Sequence, residues 1–142
     1  MQLNSFTDYS LRTLLTLAAQ PDDRVISAAD ISERFNISRN HLMKVVNKLA
    51  QLGYIETMRG KNGGIRLAVA PRDVNIGKII REIEPLQLLD CSEGNCYITS
   101  ACRLKGALAD AKMAFLSVLD KYTLEDVVGD NEPLKLLLIS GR

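Results

Sequence analysis

Apolar positions recur at helical spacing through most of the chain, interrupted once by a short alternating stretch. Phe6, Ser10, Thr13, Leu14 and Leu17 share one face of a first helix ending near Ala19. Ser5-Phe6-Thr7-Asp8 has capping-box order, with Ser5 as N-cap and Asp8 at N3. Gln20-Pro21-Asp22-Asp23 reads as the exit turn. Ser27-Ala28-Ala29-Asp30 opens a short helix to about Phe35. Asn36-Ile37-Ser38 is then a turn whose Ile37 points inward. Ser38 caps a helix from about Arg39 to Leu52, buried along Leu42, Val45, Val46 and Leu49. Gly53 supplies the positive φ that a helix end favours. Tyr54 to Met58 and Ile65 to Val69 alternate as strands around a glycine-rich turn containing Asn62-Gly63.

That order predicts a winged helix-turn-helix over residues 1–72, with the helix-turn-helix at about 28–52 and the wing at about 54–69. The fold class expected is mainly α with a small β-hairpin wing. Residues 73–142 read as a connector helix, a loop and a long helix. Asn75 caps the connector, whose apolar face is Ile76, Ile79, Ile80 and Ile83, and Pro85 stops it. Gly77 weakens it locally. The long helix spans about 103–122, with Ser100 as expected N-cap. Leu104, Leu108, Ala111, Phe115, Val118 and Tyr122 are spaced as a heptad seam, which suggests a homodimer. The alternative is packing within one chain. Thr123-Leu124-Glu125-Asp126 is a further capping box, and Leu134 to Ile139 is an apolar tail that docks elsewhere.

Charge sharpens the picture. The chain of 142 residues has a net charge of +1, which taken alone argues against a basic nucleic-acid coat. Between Arg34 and Arg72, however, eight basic residues face the single acid Glu56, a net of +7. Between Glu82 and Lys135 ten acids meet five bases, a net of −5. A basic segment followed by an acidic one fits a polyanion-binding part and a part with another task. Aromatics are only 5%, too few for single-strand stacking platforms, so duplex DNA is the expected partner. The residues placed for it are Ser38, Arg39, Asn40, His41 and Lys44 on the second helix of the motif, and Arg59, Lys61, Asn62 and Gly63 at the wing tip. His41, the only histidine, is expected to be exposed and to touch a base or phosphate.

The three cysteines all fall in Cys91-x4-Cys96-x5-Cys102, directly before the long helix. An odd count cannot pair within one chain. Anionic sulfur is electrostatically favoured at a helix N-terminus. Three thiolates in one loop suit an iron–sulfur cluster or another soft metal. Structural zinc is the next alternative, but it needs four ligands and the C-x2-C pairs are absent. The fourth ligand is left open: a carboxylate, a backbone group or a residue of another chain. Residues 1–10 lack the basic and apolar regions of a signal peptide, and no apolar run approaches the roughly 20 residues of a membrane span. The expected setting is a reducing cytoplasm, without membrane contact. No dinucleotide fingerprint or nucleophile–base pairing points to an enzyme.

Phe6-Thr7-Asp8-Tyr9 with Leu11-Arg12, Ser38-Arg39-Asn40-His41, Arg59-Gly60-Lys61-Asn62-Gly63-Gly64-Ile65-Arg66-Leu67, Glu84-Pro85-Leu86 and the three cysteines with Arg103-Leu104 together carry a resemblance. Over nearly its whole length the chain resembles the IscR-like winged-helix iron–sulfur regulators, and within them the nitric-oxide-sensing NsrR branch. The resemblance implies a homodimeric repressor with one cluster per subunit, [2Fe–2S] or [4Fe–4S], on Cys91, Cys96 and Cys102. It implies nitric oxide as signal and inverted-repeat operator DNA as partner. It also implies Asp8 from the partner chain as fourth ligand. IscR-type members instead place a histidine three residues after the last cysteine, where this chain has Lys105. Two alternatives remain at this point: the same scaffold sensing cluster supply or oxidants, and an iron–sulfur carrier or redox protein.

Overall fold

A computed structural model describes residues 1–141; Arg142, the end of the expected second segment, lies outside the described residues. The helices are α1 (Ser5–Ala18), α2 (Ala28–Phe35), α3 (Arg39–Gln51), α4 (Ile76–Ile83), α5 (Arg103–Leu119), α6 (Leu124–Val128) and α7 (Glu132–Ser140). The strands are β1 (Ile55–Met58) and β2 (Gly64–Leu67). This is the winged helix-turn-helix followed by a long helix, as the hydrophobic pattern predicts.

The local chemistry of the helix-turn-helix is legible residue by residue. Ser27 and Ser38 cap α2 and α3, each hydroxyl accepting from the backbone N–H three residues on. Between them Asn36 takes the left-handed conformation and Ile37 turns inward, 5% exposed. α3 ends in a Schellman motif: Gly53 has φ +85°, its N–H donates to Ala50 O, and Tyr54 N–H donates to Leu49 O. Leu42, Val45, Val46 and Leu49 form the buried face of α3.

The wing pairs antiparallel, with Ile55 opposite Leu67 and Glu56 opposite Arg66. Ile26 adds a single bridge to Ile65, exchanging bonds of 3.0 and 2.8 Å, so the segment before α2 extends the hairpin by one residue. β2 ends at Leu67, short of the expected Val69.

The main core is an apolar cluster beneath α1, α3 and the wing. Leu14, Leu17, Ile31, Ile37, Leu42, Val46, Leu49, Ile55 and Ile65 share it with Ile79 and Ile80 of α4, Leu116 of α5 and Leu124 of α6. α1 is buried along Thr7, Ser10, Thr13, Leu14, Thr16 and Leu17. Ser10, Thr13 and Thr16 satisfy their hydroxyls on the carbonyls of Phe6, Tyr9 and Arg12, one turn back. Gly77 has a packing role besides weakening α4. A Cβ there would lie 2.1 Å from Asp120 Oδ1. The glycine lets the end of α5 close on α4, where Arg81 pairs with Asp120 through Nη2–Oδ2 at 2.7 Å. That pair holds the Asp120 carboxyl below its ordinary range.

Three sequence expectations need correction. Asn4, not Ser5, caps α1, its side chain accepting from Thr7 N–H at 2.9 Å. Asp8 is therefore no capping residue. Cys102 rather than Ser100 occupies the N-cap position of α5, with no side-chain cap bond. The expected heptad seam also splits. Phe115 packs on the core and Leu108 faces the 85–91 segment. Leu104, Ala107, Ala111, Ala114 and Val118, spaced 3-4-3-4, form one outward apolar stripe, with Tyr122 beyond it and Met113 exposed beside it. The tail forms a true helix, α7, whose Leu138 packs with Ala19 and Val128.

Candidate nucleic-acid interface and cysteine loop

The wing tip is built by glycine. A Cβ at Gly63 would lie 2.2 Å from Met58 O and 2.9 Å from Gly60 O, and Gly63 N–H closes the turn on Gly60 O. Gly60 itself sits at φ +107°. Arg59, Lys61 and Asn62 project from this turn and are exposed. The acid of the basic segment, Glu56, is bound by Arg66 at 2.5 Å across the two strands. The wing thus neutralises its own Arg66 and keeps Arg59 and Lys61 without an ion pair among the described residues. Gly63→Ala is expected to add about 1–3 kcal/mol of local strain. Duplex affinity should fall through the displaced tip while circular dichroism still reports a folded core. Undiminished duplex binding by a folded Gly63→Ala protein would remove the wing from the interface.

On α3, Arg39, Asn40 and Lys44 are exposed, and Ser38 is exposed but engaged as the cap, accepting from His41 N–H at 3.2 Å. His41 differs from expectation. Its ring is half-buried, edge-on to Tyr9 with centroids 4.8 Å apart and 6.5 Å from Phe6. It fastens α3 to α1, one residue from Asp8, and this packing competes with a base contact. A helix-to-helix aromatic pair has no local sequence signal, which is why spacing alone placed His41 outward.

Asp8 lies on the exposed side of α1, its Oδ1 held by Arg12 Nε at 2.7 Å. Among the described residues Oδ2 has no partner. Arg12 in turn lies over the Phe35 ring, 5.6 Å from its centroid. Asn4 N–H donates to the Glu84 carboxylate at 3.0 Å, tying the start of α1 to the segment that leads into the cysteines.

The cysteine loop is organised by polar side chains. Asp90 accepts from Ser92 N–H at 3.1 Å and from the Asn95 amide. Hydrogen bonds from Ser92 first, then Asn95, hold Asp90 below the usual carboxylate range. Thr99 Oγ1 donates to Cys91 O at 2.6 Å, and Lys105 Nζ reaches Thr99 Oγ1 at 3.5 Å. Cys91, Cys96 and Cys102 are all unbridged and half-buried. Among the described residues no three His, Cys, Asp or Glu side chains converge closely enough to hold a metal ion. The donor set, three thiols on one ordered loop, has the chemistry of a soft-metal site.

No helix among the described residues is long and apolar enough to cross a membrane. Residues 3–130 match the family described as "Rrf2: Iron-dependent Transcriptional regulator". The chain is similar to the solved structure of T. potens IscR, at 28% identity over 94% of this chain and 90% of that one, with a TM-score of 0.74. It is similar to Staphylococcus aureus CymR in its oxidised form, at 26% identity over 90% and 96%, with a TM-score of 0.73. B. subtilis CymR, described as the global cysteine regulator, shares the fold at 24% identity over 93% and 99%, with a TM-score of 0.70. Rrf2 members are transcriptional regulators, which agrees with the exposed basic residues of α3 and the wing tip. The chain belongs to the Rrf2 family of transcriptional regulators.

Proposed function

We propose that the chain is a homodimeric, nitric-oxide-responsive repressor. The observation that carries DNA binding is the set of exposed cations without ion-pair partners among the described residues: Arg39 and Lys44 on α3, Arg59 and Lys61 on the wing tip. α3 would enter the major groove, Arg39 and Asn40 reading bases near its N-terminus, while Ser38 holds the helix start and Gly63 shapes the wing. His41 would set the seating of α3 against α1. Asn62, Lys61 and Arg59 would meet phosphates or the minor groove.

α5 supports a second copy as partner. Among its described residues Leu116 alone is buried, although the helix has 17 residues. Leu104 and Val118 are more than half exposed, with alanines between them. A 3-4-3-4 stripe with small central residues lets two such helices approach closely. Two recognition helices one helical turn apart then match an inverted-repeat operator.

Cys91, Cys96 and Cys102 would hold one iron–sulfur cluster per subunit, [2Fe–2S] or [4Fe–4S], and Asp8 of the partner subunit would complete the set through Oδ2. When bound, that group supplies iron reactive toward nitric oxide. The protein's part is positional. Asp90 and Thr99 order the loop, Arg12 aims Asp8, and the Asn4–Glu84 bond keeps α1 and the loop in fixed relation. Tying the loop to the partner would fix the spacing of the two α3 helices; loss of that tie would free it, lower operator affinity and derepress nitrosative-stress genes.

The test uses two variants with opposite signatures. Arg39→Ala should cost about 1–3 kcal/mol on the preferred duplex and relax its sequence preference. Lys61→Ala should weaken all sequences alike and lower the log–log salt slope by about 0.9. Altered base preference from Lys61→Ala, with none from Arg39→Ala, would exchange the two assignments and defeat the reading.

A further inference from the structure

We propose that an apolar notch between α2 and α3 seats the 5-methyl group of a thymine, so that Met43 and Ala29 set base preference beside Arg39. The proposal rests on α3 being the groove-facing helix. The notch measures about 240 Å³ and is lined by Ala28, Ala29, Arg39, Leu42 and Met43. Leu42, with no exposure, forms its floor. Ala28 and Ala29, in the first turn of α2, make one wall, and Met43, one turn after Arg39, makes the other.

Met43 is out of keeping with its surroundings. It is 43% exposed, yet its neighbours on the outer face of α3 are Arg39, Asn40, Lys44 and Asn47, all exposed and polar. The core does not need it, because Leu42, Val45, Val46 and Leu49 already fill the buried face. Beside it Arg39 has no ion-pair partner among the described residues. A guanidinium bordering an apolar hollow is a paired reader: one group for a charged or accepting edge, the other for an edge with nothing polar.

On the major-groove side each base edge presents hydrogen-bonding atoms, and thymine alone among the four adds an apolar methyl. The amino group of cytosine or adenine, or O6 of guanine, would be stripped of water against these walls with no partner, which disfavours them. The positive charge of the 34–72 segment brings the duplex to this face, so the occupant is a thymine of double-stranded DNA rather than an apolar peptide.

The experiment uses the full-length, metal-loaded protein. It selects its preferred duplex from a randomised library, and each thymine of the selected site is then replaced in turn by 2′-deoxyuridine. That change keeps every hydrogen bond and removes only the methyl. At one thymine per half-site the replacement should weaken binding about fourfold, the ratio expected for burying one methyl. Met43→Gln, which keeps length and helix propensity, and Ala29→Ser should both bring that ratio close to one. Thermal melts confirm that both variants are folded. A selected site in which no thymine responds to deoxyuridine would overturn the proposal while leaving α3 as the recognition helix. So would a penalty unchanged in both variants. Failure to select any duplex would overturn it together with the reading of α3.

Discussion

Leu42→Ala is expected to cost about 2–5 kcal/mol of folding stability, a large share of the roughly 5–15 kcal/mol that holds a domain together. Leu42 is fully buried beneath α3, in the cluster that joins α1, α2, α3 and the wing. Removing three carbons there leaves a void that Ile31, Val45 and Val46 cannot fill, because each is already packed with at most 1% exposure. The melting temperature should fall by about 10 °C. Duplex affinity should fall too, since the same side chain sets the depth of α3 on its neighbours. Leu42→Met, nearly equal in volume, should cost under about 1.5 kcal/mol. A melt of Leu42→Ala within 2 °C of the parent would mean that this helix is not seated as described.

Replacing Cys91, Cys96 or Cys102 by alanine should abolish visible cluster absorption while leaving the melt of the metal-free protein nearly unchanged. The asymmetry follows from position. Each thiol is half-buried in a loop outside the main apolar cluster, so little packing is lost. Asp8→Ala should weaken rather than abolish the absorption, because three thiolates remain. It should also release Arg12 from its 2.7 Å bond, with little effect on folding since both side chains are about 40% exposed or more. Iron and sulfide analysis with an anaerobic spectrum reads all four variants. Undiminished absorption in all three cysteine variants would remove the loop as the site. Stoichiometric zinc in place of iron would favour the structural-metal alternative.

Much of this architecture is written locally. Ser27, Ser38 and Asn75 cap the helices they precede, and Thr123 with Asp126 makes a complete capping box. Gly53 adopts the positive φ that its place after α3 demands. These features need only neighbours in sequence. Most of the differences depend on distant partners. α5 carries apolar residues around more than half its circumference, so periodicity supports two seams. Only the approach of α4 and the 85–91 segment decides that Phe115 and Leu108 turn inward. The Ile26–Ile65 bridge is a single residue pair, too short to leave an alternating pattern. His41 was legible as a residue of the recognition helix, but its contact with Tyr9 spans 32 positions. Asn4 and Ser5 are both good N-caps one residue apart, so sequence does not separate them; the bond from Asn4 N–H to Glu84, 80 residues away, accompanies the earlier start.

The cysteine loop shows the same division. Its donor chemistry is plain in the spacing, whereas among the described residues those donors do not converge on one point. Asp8 stands on the exposed side of α1, bound to Arg12 one turn on.

The most direct test of the account is the operator affinity of one preparation of iron–sulfur-loaded protein, measured at fixed salt before and after nitric oxide is added. The account predicts tight binding before and binding weaker by about 100-fold after, a coupling of about 2.7 kcal/mol between loop and recognition helices. An affinity that nitric oxide leaves unchanged would contradict it.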